Sequence, residues 1–176
     1  MTRSAYDRRP IHVPFPGMRL RIPYRAAEEW ANAVHRSAGV HDLLSPLMDD
    51  AQRSRVTRAL ALGTATLDDV AKALYAALEE AVPEYSWWRT WRLLDASATV
   101  TVAGRMALKG CDPSRLTVAT WCGAVYVLMA TGLDDRKRFQ LDAALDAPPP
   151  GMDDDGWGAV SFDEMVSSAR STPGFR

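Results

Sequence analysis

Between Arg25 and Ala147 the chain repeats one device. A stretch of helix length, with apolar residues every three or four positions, is closed by a glycine or a proline. The stops are Gly39, Gly63, Pro83, Gly110 and Gly132, and the run Pro148-Pro149-Pro150-Gly151 is the last of them. Residues at those offsets stack on one side of a helix, whereas a half-buried strand alternates at every second position. The spacing therefore predicts a mainly α fold. About six helices would pack by their apolar sides into a compact multi-helix domain over residues 25–147. An extended, basic, Pro-rich N-terminal arm over residues 1–24 precedes it, and a Pro-rich, acidic C-terminal tail over residues 148–176 follows. The 47% hydrophobic content of the 176 residues suits a single domain with a real core.

In the arm, Pro10, Pro14, Pro16 and Pro23 favour extended backbone, and Met18-Arg19-Leu20-Arg21-Ile22 alternates as a short strand would. The first helix is expected over Ala26–Ser37, with Ala27, Trp30, Ala31 and Val34 on its apolar side. A short apolar stretch with Val40, Leu43, Leu44 and Leu47 follows, then a helix over Asp49–Leu62. Thr66 has the chemistry of an N-cap for a helix whose apolar side is Leu67, Val70, Ala71, Leu74, Leu78 and Val82. Ser86 caps a long segment that the absence of any turn residue carries to Leu108, although Thr99-Val100-Thr101-Val102 is rich in strand-favouring side chains. Thr117 caps a helix that is apolar nearly all round, which predicts a central, buried element. Asp134 opens the last one, with Phe139, Leu141, Ala144 and Leu145 apolar and Arg136, Lys137 and Arg138 outward.

A net charge of −1 argues against a dedicated nucleic-acid binder, which carries a basic excess. The longest apolar stretch, Val118–Ala130, is shorter than the ~20 residues that span a bilayer, so no membrane segment is expected. Charge is unevenly spread: residues 1–25 carry +5 and residues 147–176 carry −3. Such ends can reach for each other or for neighbouring subunits, or form an ordinary solvated surface. Cys111 and Cys122 make no disulfide framework and suit a reducing cytoplasm. His12, His35 and His41 lack the spacing of metal ligands, and no nucleophile motif or phosphate-binding loop is present. No catalytic residue, metal site or cofactor is expected, and the chain reads as no enzyme.

Trp87, Trp88 and Trp91 fall within five positions, and with Leu94 they cover more than one side of a helix. Two of the indoles can enter the core while one lies at its rim. Alternatively, the segment forms part of a groove for an apolar helix of another protein. The tail carries Trp157, Phe162, Met165 and Val166, with a short helix expected over Ser161–Ala169. A wholly solvated tail has no need of those side chains, so they are candidates for docking on this chain or on a partner.

Several runs carry a family likeness in order along the chain. They are Val13-Pro14-Phe15-Pro16-Gly17-Met18-Arg19-Leu20, then Ile22-Pro23-Tyr24, Trp87-Trp88 with Arg92-Leu93-Leu94, and Leu108-Lys109-Gly110-Cys111-Asp112-Pro113-Ser114-Arg115-Leu116. Further on come Trp121-Cys122-Gly123-Ala124-Val125-Tyr126, Asp134-Asp135-Arg136-Lys137-Arg138-Phe139 and Ala147-Pro148-Pro149-Pro150-Gly151. The chain resembles the tail assembly chaperone-type proteins of actinobacterial siphophages, and its Arg- and Ala-rich composition agrees with a high-GC host. The resemblance implies a non-enzymatic protein of the infected bacterial cytoplasm. Such a protein binds the apolar, helical tape measure protein while the major tail tube protein polymerises round it, and it can act as a homo-oligomer. In many phages of this type a longer form arises by frameshifting. The family supplies no residue-level site. The partner-binding residues expected here, Trp87, Trp88, Trp91, Leu94, Trp157, Phe162 and Met165, come from exposure arguments alone. The competing expectation is a structural virion component, a minor tail or connector protein retained in the mature tail.

Overall fold

The computed structural model describes residues 9–36 and 40–147. It is mainly α, with one two-stranded sheet among the described residues. Strands β1 (Ile11–Phe15) and β2 (Met18–Ile22) pair antiparallel, Ile11 opposite Ile22 and Phe15 opposite Met18. Pro16 and Gly17 make the two-residue connection. The glycine takes φ +69, the left-handed value that follows proline in a type II turn. Alternation sets the two sides: Val13, Phe15, Leu20 and Ile22 are buried, while His12, Arg19 and Arg21 face outward. The Pro-rich arm thus holds the strand its alternation predicts, and a second strand. Rather than standing off as an appendage, β1 packs on the helix α4 (Leu67–Ala81).

The remaining helices are α1 (Ala27–Arg36), α2 (Val40–Leu44), α3 (Asp50–Ala61), α5 (Trp87–Ser97), α6 (Val100–Leu108), α7 (Val118–Ala130) and α8 (Asp135–Asp146). Six of the eight begin with the same chemistry. Asp49, Thr66, Ser86, Thr99, Thr117 and Asp134 each accept, through a side-chain oxygen, the backbone N–H of the residue three positions on. Such a cap satisfies one of the donors that the first helical turn leaves without a partner. At Thr66 the arrangement is reciprocal, because Asp69 also accepts from the Thr66 N–H at 2.8 Å. The amide and hydroxyl of Thr66 hold the Asp69 carboxyl below its ordinary range.

The core lies along α4 and α5. Helix α4 packs on β1, α2 and α5, and α5 packs on α1, α4, α7 and α8. The centre of the domain is therefore not α7, as its apolar composition predicts. Val118, Trp121, Cys122, Val125 and Leu128 of α7 are buried, but Thr120 and Val127 face outward. The outward side of α7 also carries the half-buried Gly123 and Ala124, residues too small to make a second core face. Phe139, expected among the packed residues of α8, is exposed as well.

The segment that the sequence pattern reads as one helix from Ser86 to Leu108 is two. Ser97 Oγ donates to the Leu94 carbonyl at 2.6 Å, and Thr99 Oγ1 donates to the Ala96 carbonyl at 2.8 Å. Thr99 then takes extended backbone and caps α6. Hydroxyl side chains that occupy nearby carbonyls offer the backbone an alternative to helix continuation, and here they end it without a glycine or proline.

Candidate partner-docking face

The tryptophan-rich helix α5 is interior on nearly every side. Trp87 and Trp91 are each 5% exposed and Leu94 is 0% exposed. Trp87 stacks on Tyr75 of α4 with ring centroids 3.8 Å apart and planes 14° from parallel. Trp88 meets Trp87 edge to face at 5.7 Å, and its Nε1–H donates to the Asp146 carbonyl at 3.0 Å. Trp87, Trp91 and Leu94 therefore offer no surface to a partner in this conformation. Of the two readings of this segment, the structure has the one with two indoles in the core and one, Trp88, at the half-buried rim, and the place of the alternative groove is filled by the protein's own helices. Trp157, Phe162 and Met165 lie outside the described residues, as does the helix expected over Ser161–Ala169.

The side of α5 that a client helix would have used is covered by α8. Arg89 bridges Asp142 at 3.1 Å and Asp146 at 2.6 Å, and its guanidinium lies 4.8 Å from the Tyr85 ring and 5.1 Å from the Tyr126 ring. Tyr126 Oη donates to the other oxygen of Asp142 at 3.1 Å. Arg92 donates to the carbonyls of Ala144, of Leu145 at 3.1 Å and of Ala147 at 2.7 Å. A cation at the carbonyl end of a helix satisfies acceptors that have no intrahelical donor and suits the negative end of the helix dipole. Burial pulls the Arg92 pKa down, with Asp146 opposing, yet an arginine keeps its charge in any ordinary protein environment. These contacts read as a latch that fastens α8, and with it the start of the C-terminal segment, to α5.

The exposed apolar surface lies next door, on α6. Val100 is 89% exposed and Leu108 90% exposed, and Ala103, Gly104 and Ala107 between them are exposed too. At 100° per residue these five side chains fall within an arc of about 140° on one side of the helix. Met106, 1% exposed, and the half-buried Val102 hold the opposite side to the body, where α6 meets α7 and α5. Thr101 and Arg105 stand along one edge of the bare side, and α6 carries no acidic residue. Isolated exposed apolar residues are ordinary, and Val127 and Phe139 are single cases on their own helices. A whole helix side is different. Burying a leucine or valine side chain gives about 1.5–3 kcal/mol, and α6 leaves that free energy unused.

Sequence reasoning missed this face because it read α6 as the tail end of the tryptophan helix. The available signal was the composition of Val100–Leu108, which has one charged residue in nine and small side chains where a solvated helix carries Lys or Glu.

Away from α6, an open cleft of about 360 Å³ lies between the ends of the hairpin, α1, α4 and the start of α7. Its polar lining comes from Arg9, Tyr24, Arg25, Glu80, Glu84 and Thr117, a mixture of both charges without a histidine or cysteine. Among the described residues no group of three or more His, Cys, Asp or Glu side chains is placed to hold a metal ion. Cys122 is buried, which pushes its thiol pKa up to about 12 and leaves it without nucleophilic character near neutrality. No described helix is long and apolar enough to cross a membrane. Compared with known proteins, the chain matches no family model, no curated protein and no solved structure.

Proposed function

We propose that the protein is a non-enzymatic tail assembly chaperone, which binds an apolar helix of a phage tape measure protein and assists assembly of the tail tube. The observation that carries this reading is the bare side of α6, a helix-sized apolar strip on an otherwise well-packed domain. The resemblance of its sequence runs, taken in order, to those of siphophage tail assembly chaperones supports it. A helix of nine residues is about 13 Å long, so the strip matches two to three turns of a client helix. One such contact is weak. A long client with repeated apolar stripes would gather many copies of the chaperone, and repetition would supply the strength that one strip lacks. Arg105 beside the strip favours a client whose apolar stripe is bordered by acidic side chains.

The test is co-expression with the tape measure protein, followed by affinity recovery of the soluble complex. Wild-type chain is expected to keep the tape measure in solution, and Leu108→Glu to lose at least tenfold in recovery. A fold check by circular dichroism should show the variant unchanged. If the client stays insoluble with wild-type chain, the chaperone reading fails. Mass spectrometry of finished particles tests its competitor, because a chaperone is absent from mature tails and a structural subunit is present.

A further inference from the structure

With no client bound, the apolar strip of α6 left in water invites association. We propose that residues 152–169 of the same chain cover it in the client-free protein, so that client binding displaces the tail. The inference rests on reading the bare side of α6 as a docking face, and its evidence is reach, composition and charge.

Reach follows from the latch. Arg92 and Trp88 hold the carbonyls at the end of α8, so the chain leaves the described body at Ala147 against the first half of α5. From Arg92 to the far end of α6 the path is roughly 20–25 Å at helical rise. Ten further residues, from Ala147 to Trp157, span up to about 35 Å when extended. The apolar tail residues can therefore arrive at the strip without disturbing the latch.

Composition follows from spacing. Phe162, Met165 and Val166 stand at offsets of three and four, the spacing that aligns side chains on one side of a helix, and Trp157 precedes them. A strip with Ala103, Gly104 and Ala107 at its centre is shallow, and large side chains complement small ones where two helices approach closely.

Charge is complementary. The segment carries Asp153, Asp154, Asp155, Asp163 and Glu164 without a basic residue before Arg170. The strip has Arg105 along one edge and no acid on its own helix. Exposed pairs contribute little each, so their effect is to set orientation, with apolar contact supplying most of the affinity. Tethering gives the segment an effective concentration on the order of millimolar, enough for a weak contact to be mostly formed. A client that engages many copies at once would still displace it.

The experiment is hydrogen–deuterium exchange on the full-length chain at two protein concentrations. Wild type is compared with the triple variant Trp157→Ser, Phe162→Ser, Met165→Ser. The α6 amides of the triple variant are expected to exchange about tenfold faster, while α4 and α5 are unchanged. Leu108→Glu should in turn speed exchange across residues 157–166. Equal α6 exchange in wild type and triple variant overturns the proposal. So does α6 protection that grows with protein concentration, which would assign the cover to a second copy of the chain. The chaperone reading is separable. Failure to hold the tape measure with a normal exchange difference sinks the function and leaves the tail contact standing. In co-expression the triple variant is expected to retain client at least as well as wild type, and a loss of retention overturns displacement by the client.

Discussion

Helices α5 and α6 are neighbours in sequence, separated by Ala98 and Thr99, and they lead opposite lives. Seven of the eleven residues of α5 are buried, whereas seven of the nine in α6 are exposed and Met106 alone is fully inside. Composition does not explain the contrast, since α6 has one charged residue and α5 has three. Position does. Helix α5 is enclosed by α1, α4, α7 and α8, while α6 starts where the Ser97 and Thr99 hydroxyls turn the chain away and meets the body along one narrow edge. An apolar sequence is therefore a core when its surroundings close and a docking face when they do not.

The largest effect should come from the enclosed partner. Trp91→Ala leaves a cavity in the core around α5, since Trp91 is buried, and a buried aromatic truncated to alanine costs about 3–5 kcal/mol. In a domain of this size that lowers Tm by roughly 10 °C or more, read by calorimetry or circular dichroism. A drop of only a degree or two would mean that the interior of α5 is not closed, and the contrast with α6 would collapse.

The same contrast marks what the sequence makes legible. The 3.6-residue periodicity places α1, α3, α4, α7 and α8 within a residue or two, and Thr66, Ser86 and Thr117 stand at the caps their chemistry predicts. Those features are local, and local features survive without knowledge of the fold. Three readings depended on what lies across the core. One was the fate of Trp87 and Trp91, a second the outward side of α7, and the third the point where α5 ends. Three indoles within five positions cannot all enter one small core, and the structure divides them: Trp87, stacked on Tyr75, and Trp91 are buried, while Trp88 stays at the rim and donates to the Asp146 carbonyl. The break at Thr99 escaped because hydroxyl competition is weaker in the sequence than a glycine or proline. With the break unseen, the bare side of α6 could not be placed.

A smaller effect should follow from the cap that separates the two helices. Thr99→Ala removes the side chain that accepts from Val102 N–H, a loss of about 1 kcal/mol in typical helices. Because α6 is lightly attached, the loss should appear locally. Its amides are expected to exchange about fivefold faster, and those of α5 to stay as they were. If α5 and α6 open together, they form one cooperative unit and the comparison is wrong.

The latch over α5 makes that side sensitive to alkaline pH in a way α6 cannot be, since α6 has no phenol or carboxylate. Tyr126 has its pKa raised, first by the hydrogen bond it donates to Asp142, then by burial and by the Asp142 charge, with Arg89 and Arg138 opposing. A raised phenol contributes stability fully below its unfolded value of about 10 and loses it as pH climbs through the folded value. Tyr126→Phe should therefore cost up to about 1 kcal/mol at pH 7, and the gap to wild type should narrow in melts above about pH 10. A gap that stays constant with pH would show that the phenol contributes packing and no hydrogen bond.

The smallest and most discriminating change is Gly104→Ala. A methyl group at this position meets no atom within 4 Å beyond its neighbours and its own helix backbone, and the backbone there is ordinary helix. Alanine in place of an interior helical glycine stabilises by about 0.5–1 kcal/mol, so α6 exchange should slow by roughly twofold to fivefold. In an idle surface helix nothing else would follow. In a docking face the added methyl stands where a partner helix must come close, and it holds that helix away from Ala103 and Ala107. Gly104→Ala is thus expected to make α6 firmer and client recovery poorer at the same time. A variant that is firmer and retains client as well as wild type would show that the client contacts some other surface.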